Sequence, residues 1–560
     1  MLKFRHGISL RQQRHLAVPS CRLGVMRRFL IWPSEMVWPG NLPYIAILRT
    51  LHESEQPLSH RWCHLTRLNF FILFSTCQMI YYWLPGYIMP VLTAFSWLCM
   101  IKSDNILLSQ LTGYNGFGIG SLQFDWYTLT SQLSSPIVVP RWAQINILVG
   151  FILIVWLFIP IIYYSNLWNL KLLPISNNYF YTPNGDYYQI DVNGTTTNEQ
   201  IRGTVIYVVG YHLLFASFIA LFIHTFIYHG KDIIKQFHTS LKNRQNDVHC
   251  QLMSYYREAP EWYYLIVFIC SFITAAIVCH YGDLMPWYYL FIAMSIAFVC
   301  LLPVGIVLAI SNLTINNVNI VTLIGGLLMP SNPIGNLTFT AFASGTFSQA
   351  LILLFNFKFG HYMKISPFTI FIIQLVVTIV STIIQYAMTN HLLNTIVDIC
   401  VNNADWMCKN LDTTPILFAL IDPRKMFGKD TIYAYMLWFL AIGAILPIFF
   451  WLLNKLYPNS KWLNYVHIPI MFSQLFLIIY IPIGLFPSWF IVGFLFHTII
   501  RRWWFNRYAL LFSIAMDTGV QISLFFLFFI LINRNVQFPQ WWGNNNDFCP
   551  FSYANFYGKF

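Results

Sequence analysis

Residues 286–310 read PWYYLFIAMSIAFVCLLPVGIVLAI and contain no Asp, Glu, Lys or Arg. A hydrocarbon core about 30 Å thick is crossed by about 20 apolar residues in a helix. In lipid, backbone polar groups must be satisfied internally, which leaves helices or closed barrels. The run lacks the strict alternation of a barrel strand, so it predicts a membrane-spanning helix. Working outward, the same reading applies to 143–163, 201–227, 262–280, 366–395, 434–454, 463–480, 488–500 and 508–533. The segment 488–500 is short and is expected to run through the Pro-bounded turn before it. Composition agrees: 57% of the 560 residues are hydrophobic and 9% charged, against about 25% charged in soluble proteins. The expected fold is all-α, a polytopic transmembrane helix bundle forming one membrane domain.

Charge sets the orientation. The net charge is +12, but Lys and Arg are scattered over short loops, a positive-inside pattern rather than a nucleic-acid surface. Loop 228–261 carries Lys231, Lys235, Lys242, Arg244 and Arg257 and is expected in the cytoplasm. Loop 164–200 is nearly free of Lys and Arg, holds the sequon Asn193-Gly194-Thr195, and is expected outside. Residues 1–23 form a basic N-terminal segment, and 546–560 a polar, aromatic tail. No cleavable signal peptide is visible at the start.

Parity then predicts two hairpins. Loop 356–365 carries Lys358 and Lys364 and should lie inside. Region 320–355 must therefore enter and leave on one side, and Pro330-Ser331-Asn332-Pro333 breaks it. Region 69–101 would be about 50 Å long as one helix. Leu84-Pro85-Gly86-Tyr87 interrupts it, and Arg61, Arg67 and Lys102 flank it. Broken helices often build substrate sites in transporters, which makes Tyr82, Pro85, Gly86, Tyr87, Asn332 and Pro333 pathway candidates. The competing reading is a plain proline kink. Loop 396–433 falls outside, where Cys400 and Cys408 could pair; two free thiols are the alternative. Other cysteines, Cys77, Cys99, Cys270, Cys279 and Cys300, sit in apolar runs and read as small free hydrophobes.

Ionisable residues in the membrane are functional candidates by default. Asp517 leads, about ten residues into an apolar helix; the alternative is a carboxylate locked to an Arg or Lys. His212 and His224 share one span and either titrate or make interhelical hydrogen bonds. Gln349 and Asn356 either bind a peptide backbone or join helices. An enzyme reading finds no support: His60-His64 and His224-His229 have near-suitable spacing for iron, yet no adjacent His pair exists. No nucleophile and base are recognisable, and no metal or cofactor is expected.

The sequence resembles the small oligopeptide transporter family, in its peptide-transporting branch. The matching stretches include Arg27-Arg28-Phe29-Leu30-Ile31-Trp32-Pro33, Tyr81-Tyr82-Trp83-Leu84-Pro85-Gly86-Tyr87 and Phe124-Asp125-Trp126. Further on they include Tyr228-His229-Gly230-Lys231-Asp232, Lys358-Phe359-Gly360-His361-Tyr362-Met363-Lys364 and Ala515-Met516-Asp517-Thr518-Gly519. The resemblance covers about 24–545 and implies a proton-coupled carrier of short peptides, with glutathione or peptide-like metal chelates as related cargo. The plasma membrane is the expected site, with an organelle membrane as the alternative; oligomeric state is left open. Three departures stand beside it. The family's earlier spans and its Asn-Pro-Gly-Pro-Phe motif are absent from this sequence. Lys364-Ile365-Ser366-Pro367-Phe368 replaces a Lys-Ile-Pro-Pro-Arg motif, and Thr322 and Asn356 stand where acids are expected. Those departures keep a second reading open, an inactive paralogue or partner-dependent subunit.

Overall fold

The computed structural model describes residues 26–544, apart from 53–64, 103–104, 178–179, 183, 187–201, 239–247, 316–317, 396–417, 419–422, 427–432, 503–504 and 535. The sequon, Cys400 and Cys408 lie outside the described residues. Among the described residues the architecture is helical, with only two isolated bridges, Phe95 to Leu122 and Tyr181 to Arg202. Eight helices are long and apolar enough to cross a membrane. The protein is an integral, multi-pass membrane protein.

The elements that matter are α1 Asn41–His52, α2 Arg67–Tyr81, α3 Trp126–Gln132, α4 Arg141–Tyr164, α5 Val205–His238, α6 Glu261–Tyr281 and α7 Tyr289–Ser311. They continue with α8 Val318–Leu328, α9 Pro333–Met363, α10 Pro367–Thr395, α11 Trp438–Leu456, α12 Ile468–Phe476, α13 Leu485–Phe494 and α14 Phe505–Ile530. Local chemistry sets their starts. Pro140 and Pro260 precede α4 and α6, where a missing N–H costs nothing. Thr66, Asp125 and Asn332 cap α2, α3 and α9 by accepting backbone N–H groups.

One end of the bundle is basic. Arg28 pairs with Glu261 at 2.9 Å, Lys358 donates to the Ile31 carbonyl at 2.7 Å, and Lys364 meets His249 Nδ1 at 2.7 Å. Helix α5 runs toward this end, and α11 lies parallel to it. His212 packs edge-on to Phe439, and a Cβ on Gly443 would meet the Ala216 backbone. Small residues at a helix crossing permit such close approach. The Tyr433 hydroxyl accepts from Gly203 N at 2.7 Å, so residue 433 sits at the end opposite the basic one.

The second hairpin forms, but asymmetrically. Its rising arm is the short α8 and its descending arm is the continuous α9, about 46 Å long. Thr322 and Thr340 hydroxyls meet across it at 3.3 Å. The turn Pro330-Ser331-Asn332 is exposed, near the start of α7, where Tyr289 donates to the Leu328 carbonyl at 3.2 Å. The unwound backbone lies instead at the other end of α8. Asn312 is left-handed with φ 61°, and residues 313–315 are not helical. Side chains hold their polar groups: Ser134 donates to the Asn312 carbonyl at 2.8 Å and Gln474 to the Thr314 carbonyl at 3.0 Å.

The first hairpin differs from expectation in its return arm. Helix α2 is broken where foreseen, by a wide turn at Leu84–Ile88. Residues 97–101 do not run back along it. The chain stays at that end, pairing Phe95 with Leu122 and Val91 with Gly543, before α3 descends. The physical reason is that α3 carries the aromatic and polar groups that fit α2 and α14. Cys99 also departs from its reading as a free thiol, because it is disulfide-bonded.

Candidate functional site

The site is built where α2 and α14 lie parallel. Phe70 stacks on Tyr508 with centroids 4.4 Å apart, and Phe74 meets Phe512 at 5.3 Å. Higher up, Gly519 presses on α2: a Cβ there would lie 2.5 Å from the Ser75 carbonyl oxygen and 3.0 Å from Met79 N. This contact brings the half-buried Asp517, two residues earlier, beside the descending α3.

The Trp126 indole Nε1 donates to Asp517 Oδ1 at 2.7 Å, and the Thr130 side chain also faces that carboxylate. Asp125, 1% exposed, caps α3 by accepting from Tyr127 N at 3.0 Å and Thr128 N at 3.2 Å, while the Thr128 hydroxyl donates at 2.5 Å. Tyr82 packs edge-on to Tyr127 at 6.3 Å, and Ser135 and Ser513 share a 2.9 Å hydrogen bond. Among the described residues neither carboxylate forms an ion pair. The two acids therefore differ in their partners. Asp125 is saturated by three donors of its own helix start. Asp517 accepts from the Trp126 indole, a donor that suits either a carboxylate or a protonated carboxyl, while the Thr130 hydroxyl donates to the Trp126 carbonyl at 3.0 Å.

The structure brings Tyr82 against α3 through Tyr127 and places Gly86 and Tyr87 further along, toward the end of α14 and beyond it. A Cβ on Gly86 would meet the Tyr82 ring and Leu527, Pro85 is buried in the turn, and the Tyr87 hydroxyl donates to the Val536 carbonyl at 3.0 Å. The remaining candidates lie elsewhere. Asn332 caps its own helix through Gly335 N at 2.8 Å, with Pro333 as the first helical residue. Asn356 donates to Gln374 Oε1 at 3.0 Å and joins α9 to α10; Gln349 is half-buried on α9. His212 bonds the Val208 carbonyl at 2.7 Å, within its own helix. His224 stacks on Tyr228 at 4.3 Å and meets the His467 ring at a tilt, centroids 4.1 Å apart, near the basic end. Among the described residues no group of three or more His, Cys, Asp or Glu is arranged to hold a metal.

Asn356→Leu is expected to lower stability by about 1 kcal/mol through the lost interhelical bond, and to leave transport and its pH response intact. A thermal unfolding curve and an uptake assay on one preparation check both halves.

Sequence reasoning missed Trp126 as the partner of Asp517. A signal was present, because Asp125 directly before Trp-Tyr-Thr reads as a helix N-cap, and a helix start there aims the indole sideways into the bundle.

The sequence matches known proteins along nearly its whole length. The family model for the OPT oligopeptide transporter protein matches residues 21–531. Oligopeptide transporter 1 of Arabidopsis thaliana is 33% identical over 565 residues, covering 95% of this chain and 74% of its own length. Oligopeptide transporter 5 from the same plant is 32% identical, with 94% and 74% covered, and oligopeptide transporter 7 is 31% identical, with 94% and 71% covered. A match that runs through the broken helix, the capped α3 and the helix of Asp517 leaves one conclusion: this chain belongs to the OPT oligopeptide transporter family.

Proposed function

We propose that the protein is a secondary active carrier of short peptides, coupled to protons, with Asp517 as the proton-carrying group. The observation that supports it is a membrane-embedded carboxyl held by the Trp126 indole and paired with no cation among the described residues. Such a group can be neutral or charged at small cost in hydrogen bonding, which a coupled carrier requires. The exposed Tyr127, next to Trp126 on α3 and edge-on to Tyr82, offers aromatic and hydroxyl surface suited to a peptide backbone. Glutathione or a peptide-like chelate would use the same contacts.

The test is uptake of a labelled tetrapeptide by proteoliposomes holding the purified chain, with and without an imposed acid-outside gradient. Accumulation that follows the gradient is expected. Binding without accumulation would favour the second reading, a partner-dependent or inactive paralogue. A specific observation speaks for that reading too. Thr322 and Asn356, which replace expected acids, are engaged in bonds to Val318, Thr340 and Gln374 and carry no proton.

A further inference from the structure

At the basic end a small open recess is lined by Arg27, Trp32, Glu258, Phe357, His361 and Pro367 among others. Arg27 is 5% exposed. Its guanidinium carbon lies 5.2 Å from the centroid of the Tyr264 ring and 5.6 Å from that of Phe357. Its Nε is buried with no hydrogen-bond partner. The neighbouring cations are all engaged: Arg28 by Glu261, Lys358 by the Ile31 carbonyl, Lys364 by His249, and Arg257 over the Phe368 ring at 4.7 Å. Glu258 lines the same recess yet forms no ion pair with Arg27. Aromatic faces offset only part of the cost of burying a guanidinium. A buried guanidinium whose Nε has no partner and which lines a recess is suited to meet an anion.

We infer that this recess is a phosphate-binding site, with Arg27 as its fork. A planar guanidinium presents paired N–H donors that match a phosphate oxyanion. The position favours phosphate, because exposed Trp262 at the start of α6 marks the bilayer interface on this side. The phosphate has two possible sources, inorganic phosphate from the aqueous phase and the phosphomonoester of a lipid headgroup. The site is separate from Asp517 and does not depend on which cargo is carried.

The experiment measures thermal unfolding and native mass spectra of the full chain in phosphatidylcholine nanodiscs. One arm adds inorganic phosphate against chloride at equal ionic strength; the other adds a few per cent phosphatidylinositol 4-phosphate to the lipid. Stabilisation by both phosphate sources identifies a site open to either, and stabilisation by the lipid alone identifies a headgroup site. Arg27→Gln is expected to weaken binding about tenfold or more, the worth of a hydrogen-bonded charge. Arg28→Gln should leave it unchanged. Glu258→Gln removes a like charge from the rim and should tighten binding severalfold without lowering the midpoint in chloride, which decides the matter even if Arg27→Gln does not fold. Two results would overturn the proposal: no stabilisation of the parent by either source, or a Glu258→Gln chain that is less stable and binds more weakly. The latter would make Glu258 the water-bridged counterion of Arg27.

Discussion

Asp517→Asn is expected to abolish gradient-driven peptide uptake, to about one hundredth of the parent rate or less, the scale of losing a positioned proton-transfer group. Asparagine keeps the size of the side chain, and its amide oxygen can still accept from the Trp126 indole. The helix contact at Gly519 is untouched, so the chain should fold. What is lost is only the proton. Exchange of labelled for unlabelled peptide at equal pH on both sides should therefore survive in this variant. That split separates coupling from binding. Trp126→Phe should give a milder loss, about tenfold, through one hydrogen bond to a charged group. A variant Asp517→Asn chain that still accumulates peptide in response to the gradient would remove Asp517 from the proton path.

Gly519→Val should strongly damage the membrane domain. The new Cβ would contact α2 backbone at Ser75 and Met79. Backbone cannot rotate aside as a side-chain tip can, so α2 and α14 must separate. Overpacking of this kind costs about 3 kcal/mol, and separation also draws Asp517 away from α3. Stability and uptake should fall together, read as the unfolding midpoint and the uptake rate of the same preparation. Gly230 supplies the control, since a Cβ there meets nothing within 4 Å; within helix α5, Gly230→Ala should leave uptake unchanged and, if anything, raise the midpoint slightly. A Gly519→Val chain with a parental midpoint would mean the two helices are not in contact there.

The bundle was legible because hydropathy is a local signal. The segments 143–163, 262–280 and 286–310 correspond closely to α4, α6 and α7, and Pro140 and Pro260 mark two of their starts. Broken segments were found for a similar reason, since Leu84-Pro85-Gly86 and Pro330 to Pro333 are local breakers. Which arm closes a hairpin was not legible. Nothing in residues 69–101 tells that their return partner begins at Trp126, because pairing depends on side chains far apart in sequence. Asp517 stood out as an acid among apolar neighbours, whereas its donor is an indole that sequence alone reads as ordinary packing. Arg27 was hidden differently. It sits in a run of basic residues that charge counting assigns to solvent, and only the fold shows that Arg28 finds an acid while Arg27 is buried against rings.

The non-helical residues after α7 behave mechanically like a joint with adjustable stiffness. Two neighbouring elements each contribute one bond there, Ser134 from the segment after α3 and Gln474 from α12, and Ser311 adds a third to Leu313 N from within the chain. Inside a helix, bending means breaking a cooperative ladder; here each bond can be released alone, at about 1 kcal/mol. The joint between α7 and the α8–α9 pair is thus fastened by three replaceable side chains rather than by a helical ladder.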